Sequence, residues 1–179
     1  MKKVAGLIVL AALLCANSST AQTPLNIKGY VGVGIDMPTG ILGDGWNMGF
    51  HGEAALGFLL PAQPFEILGE IAYHSFGLDD QGTGIDGGTF SAFRFGVAAK
   101  VRIIPSVGTT APFFSFGVGF AQAAIGDIGG FSFPDETKPY IKLGGGVDFL
   151  KFFAKVEYVN VFTEGESAKF VPITFGVRF

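Results

Sequence analysis

The decisive stretch is FVPITFGVRF, residues 170–179, the last ten of a 179-residue chain. Val171, Ile173, Phe175, Val177 and Phe179 occupy every second position up to the terminus. Chain ends are usually frayed and polar. An apolar period of two running to the last residue reads instead as a β-strand paired along its whole length, with one greasy face.

The same period recurs upstream. Strands are predicted at roughly 25–35, 48–60, 65–76, 89–103, 112–121, 139–149, 151–162 and 170–179, eight in all. Each has one apolar face: Val31, Val33 and Ile35 in the first, Phe93, Phe95 and Val97 in the fourth, Phe114, Phe116, Val118 and Phe120 in the fifth. The connections alternate. PAQP (61–64), IPSVGTT (104–110) and the turn near Leu150 are short, whereas 36–47, 77–88 and 122–138 are long. Short and long connections thus fall at opposite ends of an up-and-down meander. Pro61, Pro64 and Pro105 lie in predicted turns, and Pro112, Pro139 and Pro172 near predicted strand ends, where a missing N–H is tolerated.

The charges decide what surrounds the meander. Lys28, Glu53, Glu66, Glu70, Arg94, Lys100, Arg102, Lys142, Asp148, Lys151, Lys155, Glu157 and Arg178 all take the parity opposite to the apolar sets, together with many of the glycines. The alternation alone does not say which face is inside. Phenylalanine is abundant (20 residues) and charge is scarce (15%). A span by helix needs about 20 consecutive apolar residues. Only MKKVAGLIVLAALLCANSSTAQ (1–22) approaches that, and its basic start, short apolar core and Ser19-Thr20-Ala21 end read as a signal peptide, residues 1–21, cleaved before Gln22. Bulky Leu14 argues against acylation of Cys15, the sole cysteine, so the mature chain 22–179 has no thiol chemistry. In a bilayer every backbone polar group needs an internal partner, which a closed barrel supplies. The expected fold is therefore all-β: a closed antiparallel up-and-down eight-stranded transmembrane β-barrel, apolar side to lipid and charged side to the lumen.

A lumen of eight strands is just wide enough for side chains to fill it. We expect an ionic network of Glu53, Glu70, Arg94, Lys142, Lys155 and Glu157, with Glu70 beside Arg94 and Lys142 beside Glu157. Tyr30, Phe90, Phe153 and Val159 are apolar exceptions on the inward face. The long connections hold Asp36, Asp44, Asp79, Asp80, Asp86, Asp127, Asp135, Glu136, Glu164 and Glu166 against Lys138 and Lys169, an acidic outer rim. That rim suits solvated loops, bridging to lipopolysaccharide phosphates through divalent cations, or an extracellular ligand. No basic patch is displayed there, so nucleic acid is not an expected partner.

These features resemble the small outer-membrane β-barrels of the OmpA/OmpX type over essentially residues 22–179. The resemblance implies a Gram-negative outer-membrane location. It also implies that Phe175, Val177 and Phe179 form the signal read by the barrel-assembly machinery. No peptidoglycan-binding domain is expected after the barrel, so the cell-wall role of longer members is not expected to carry over.

Other chemistry is thinly represented. GTGIDG (82–87) matches G-x-G-x-x-G but precedes a strand rather than the helix a dinucleotide site needs. Asp79, Asp80 and Asp86 lack the ligand spacing of an EF-hand. His51 and His74 are the only histidines, and His74 and Ser75 face opposite sides of a strand. The His-x-Ser of lipid A deacylases and the His and Ser pair of the palmitoyltransferases are thus missing. No catalytic residues, cofactor or metal are expected. The expected function is a non-enzymatic barrel for envelope integrity or surface binding. The alternative is a narrow channel or an OmpW-like conduit for small apolar molecules, with Pro139 and Pro172 loosening a lateral gate.

Overall fold

A computed structural model describes residues 26–59, 65–78, 88–103, 109–125, 136–163 and 167–179. The predicted signal peptide, the PAQP turn, and Asp79, Asp80, Asp86, Asp127, Asp135, Glu164 and Glu166 lie outside them. Eight strands follow one another: β1 (Asn26–Thr39), β2 (Gly49–Leu59), β3 (Phe65–Gly77), β4 (Thr89–Arg102), β5 (Thr110–Ile125), β6 (Glu136–Phe149), β7 (Phe152–Val161) and β8 (Ala168–Arg178). Each pairs antiparallel with its neighbours in sequence, and β8 returns to β1, closing the barrel.

Closure runs to the last residue. Gly29 N–H donates to Phe179 O at 2.8 Å, and Phe179 N–H to Gly29 O at 3.0 Å. The period of two therefore becomes an inside and an outside. Val33 (66% exposed), Phe50 (64%), Phe175 (67%) and Phe179 (78%) lie on the outer surface. Tyr30, Phe90, Phe153 and Val159 are buried within, as their parity requires.

The strands differ from expectation at their loop ends. β1 continues to Thr39, β5 to Ile125, and β6 starts at Glu136, so the wall rises beyond the predicted apolar stretches. Four charged residues assigned to loops therefore belong to strands: Asp36, Glu136, Lys138 and Lys169. Asp36 is completely buried in the lumen. Alternation of apolar residues lapses before pairing does, because the ladder needs only backbone groups. Lys151 is corrected the other way: it sits in the Leu150–Lys151 turn, exposed, rather than inside. Helix α1 (Ile41–Gly45) follows Gly40, whose φ of 61° favours glycine. It places Leu42 and Trp46 over the loop-end mouth against Phe76, Phe90 and Phe170.

Glycine sets how close neighbouring strands and lumen side chains can come. A Cβ at Gly119 would meet the carbonyl of Phe95 and come within 2.8 Å of the Tyr140 ring, whereas one at Gly52 meets nothing within 4 Å. Gly119→Val should therefore cost about 1–3 kcal/mol of folding free energy through overpacking, read as a lower denaturant midpoint. Gly52→Ala should leave it unchanged or slightly raised. Equal effects would overturn this view of the lumen.

Candidate functional site: the charged lumen

The lumen is built in layers, each assembled from residues far apart in sequence. At the centre runs a chain of alternating charge. Lys155 Nζ lies 2.9 Å from both Glu53 and Glu157. Lys142 Nζ lies 2.8 Å from Glu157 and 2.6 Å from Glu70. Ser115 Oγ donates to Glu157 at 3.0 Å, and Tyr140 Oη to Glu70 at 3.2 Å. A buried carboxylate is tolerated when its lone pairs are occupied in this way. The space left among Tyr30, Glu53, Glu70, Ser115, Phe153 and Lys155 is about 30 Å³. That is room for little more than water.

Five of the six sequence-assigned lumen residues meet in this chain, and Arg94 does not. β3 and β4 pair Glu70 with Gly96 and Ala72 with Arg94, two residues from the expected register, and Lys142 takes Glu70 instead. Arg94 lies one layer nearer the loops. Its Nε donates to His74 Nε2 at 2.8 Å, and His74 Nδ1 lies 2.8 Å from Asp36 Oδ2. Arginine can only donate, so His74 carries its proton on Nδ1 and gives it to Asp36. On the other carboxylate oxygen, His51 Nδ1 approaches to 2.8 Å but is not aligned as a hydrogen bond. His51 Nε2 meets Thr174 Oγ1 at 2.9 Å. The Arg94 guanidinium faces the rings of Tyr140 (5.1 Å) and Phe170 (5.8 Å). Ring faces thus stand where Nη1 has no hydrogen-bond acceptor among the described residues.

Sequence reasoning missed this layer because Asp36 was assigned to a loop. The signal was present: a turn centred between residues 62 and 63 makes His51 and His74 direct partners, which they are.

At the turn end, Lys100 Nζ lies 2.8 Å from each oxygen of Asp148, over the rings of Phe113 and Tyr30. Arg178 reaches Asp148 at 3.1 Å, and Tyr30 Oη donates to Glu66 at 2.9 Å.

Two chemical readings of the histidine layer can be tested on its geometry. Asp36, His51 and His74 offer ligand atoms within 4.8 Å of one another, as a metal centre would. A metal on His74 Nδ1, however, would leave the proton on Nε2, pointing at the Arg94 Nε–H. Outer nitrogens of metal-bound histidines need acceptors, so the arrangement fits a hydrogen-bond relay better. Thr174, His51 and Asp36 also have the connectivity of a nucleophile, base and carboxylate. Thr174 is fully buried, and the base is misaligned with its carboxylate, so no substrate carbonyl reaches the hydroxyl without displacing the packing.

No protein-family model matches the chain, and no curated protein matches it in sequence. Its fold, however, is that of the small eight-stranded outer-membrane barrels. Neisserial surface protein A superposes with a TM-score of 0.63 at 13% identity, over 85% of this chain and 95% of that one. Ail of Yersinia pestis, solved with the heparin analogue sucrose octasulfate, gives 0.52 at 17% identity, over 87% and 100%. The N-terminal β-barrel domain of Pseudomonas aeruginosa OprF gives 0.50 at 14% identity, over 87% and 98%.

Lys142 is the cation on which the central chain turns. Lys142→Met leaves Glu70 and Glu157 facing each other and should cost about 3–5 kcal/mol of folding free energy. Adding Glu157→Gln to Lys142→Met should recover part of that loss. Additive losses in the double variant would show that the two side chains do not interact.

Proposed function

We propose that this protein is a non-enzymatic integral protein of the bacterial outer membrane, its lumen plugged by its own side chains, serving envelope integrity or surface binding through its loops. The observation that carries this reading is the segregation of the barrel: aliphatic and aromatic residues cover the outer wall, and buried ion pairs fill the inside. Water would favour the reverse arrangement, whereas hydrocarbon requires this one. The fold shared with outer-membrane barrels supports the location, and the expected signal peptide and assembly signal at Phe175, Val177 and Phe179 agree with it. Burial of Thr174 and His51 supports a protein without catalysis. The acidic rim leaves lipopolysaccharide, through divalent cations, or a loop-bound ligand as the candidate partners.

The second reading, a conduit with a lateral gate, is favoured by one observation. The β7–β8 ladder pairs Val156 with Ile173 and resumes at Val159 with Phe170, so it is interrupted beside Pro172. Pro139 does not share this role, because it stays paired with Phe120, and its carbonyl accepts from Phe162.

Planar-bilayer recording separates the readings. The plugged barrel gives no steady ion steps, and a regular unitary conductance would favour the channel. Location is tested by fractionation and heat-modifiable gel migration; recovery in a soluble fraction would overturn it. Val118, outward on β5 between Val97 and Ile141, supplies a quantitative check. Val118→Arg should cost about 2–4 kcal/mol in bilayers if this level lies at the midplane. A cost near zero would mean that this wall faces water.

A further inference from the structure

We propose that the turn-end rim of the β1–β3 wall holds one anionic phospholipid, its phosphate beside Lys28 and an acyl chain in a groove on the outer wall. The inference rests on the membrane reading above and adds a defined site to it.

The groove comes from the cross-strand register. Gly29, Leu56 and Gly69 form one row across β1, β2 and β3, and Val31, Ala54 and Ile71 form the next. Small and large residues alternate in both directions, so Gly29, Ala54 and Gly69 make a floor between aliphatic walls. The resulting space is about 300 Å³ and is bounded at the turn end by Phe179. That is the lower end of the range for small-ligand pockets, roughly 300–1,000 Å³. Glu70 reaches this floor from inside, but its carboxylate is tied to Lys142 and Tyr140 and is not offered outward.

Phe179 also lines a second space, about 210 Å³, with Lys28, Leu150 and Arg178. Phe179 thus borders both spaces, one lined mostly by aliphatic residues and glycine, the other by Lys28 and Arg178. The Phe179 α-carboxylate also stands at this rim and accepts from Gly29 N–H. With it counted, Lys28, Lys100, Arg102, Lys151 and Arg178 still outnumber the anions Glu66, Asp148 and the terminus by two. Glu66 and Asp148 are buried and engaged by Arg102, Lys100 and Arg178. Lys28 has no ion pair or hydrogen bond among the described residues, and Lys151 is exposed nearby in the turn. An unpaired ammonium next to a groove of acyl-chain character selects an amphiphile with an anionic head. A zwitterionic lipid satisfies the groove but not the charge.

The test uses the purified full chain in detergent, exposed to equal amounts of phosphatidylglycerol and phosphatidylcholine with identical acyl chains. Retained lipid is read by native mass spectrometry. One phosphatidylglycerol should be retained in preference by about fivefold, the ratio for a single lysine near an anionic surface. Lys28→Gln should bring the preference close to unity. Gly69→Leu, whose Cβ enters open space, should reduce retention of both lipids by filling the groove. Gly77→Leu, equally open but at the loop end, should behave as wild type. Heat-modifiable migration confirms that each variant is folded. Equal retention of the two lipids by the wild type, or no change in folded Lys28→Gln and Gly69→Leu, overturns the site. Because the binding is measured on purified protein, its failure is distinct from failure of the outer-membrane location, which fractionation reads.

Discussion

A barrel of eight strands has no edge and very little inside. Both facts come from the same constraint: each strand must pair on both sides, and eight strands curl tightly enough that facing side chains meet across the lumen. Pairing of β1 with β8 through Gly29 and Phe179 imposes this on the whole chain. Once the ring is closed, parity has only two meanings. An odd residue on β5 such as Phe113 or Ser115 points inward, and an even one such as Phe114 or Phe116 points out. The charges have no third place to go, and their pairing follows from confinement rather than from local sequence preference.

Confinement also explains why the ion pairs are chained rather than isolated. A buried pair gains Coulomb energy but loses hydration, and the two nearly cancel unless further hydrogen bonds are made. Glu157 accepts from Lys142, Lys155 and Ser115, and Lys142 serves a second carboxylate at Glu70. Each group shares its partner's desolvation with the next. Aromatic rings extend the same device: Lys100 stands over Phe113, and Arg94 between Tyr140 and Phe170. Glycine allows this crowding, as at Gly117, where a Cβ would lie 2.7 Å from Lys142.

The fold was legible because it rests on alternation, which a single sequence displays. The strand order, the inward parity of the charges at Glu53, Glu70, Lys142, Lys155 and Glu157, and the paired last strand all follow from it. What was not legible came from places where alternation stops carrying information. Asp36 follows Ile35 in a stretch rich in proline and glycine, where apolar alternation stops, yet the backbone goes on pairing to Thr39. The partner of Arg94 depended on the centre of a loop of Gly and Asp residues whose sequence does not fix its length to within one residue. A shift of one residue in that centre moves each cross-strand partner by two, enough to exchange Arg94 for Lys142 beside Glu70.

Pro172 shows how wall and filling depend on each other. Proline inside a sheet removes a ladder donor, and in a closed barrel there is no edge strand on which to place it. The β7–β8 ladder is interrupted at this level, where Glu157 and Pro172 would otherwise pair. On its other side Pro172 stands opposite Asp36 of β1. The two acidic residues flanking the proline are both tied to other strands: Glu157 to β5 and β6, Asp36 to β2 and β3. Where the ladder is interrupted, side chains bind the flanking strands to their neighbours on either side. A gate at this seam meets a different set of contacts: Arg178 of β8 reaches across it to Asp148 of β6, and Lys155 of β7 crosses the lumen to Glu53 of β2. Those ion pairs, part of the network that fills the lumen, resist opening of its wall.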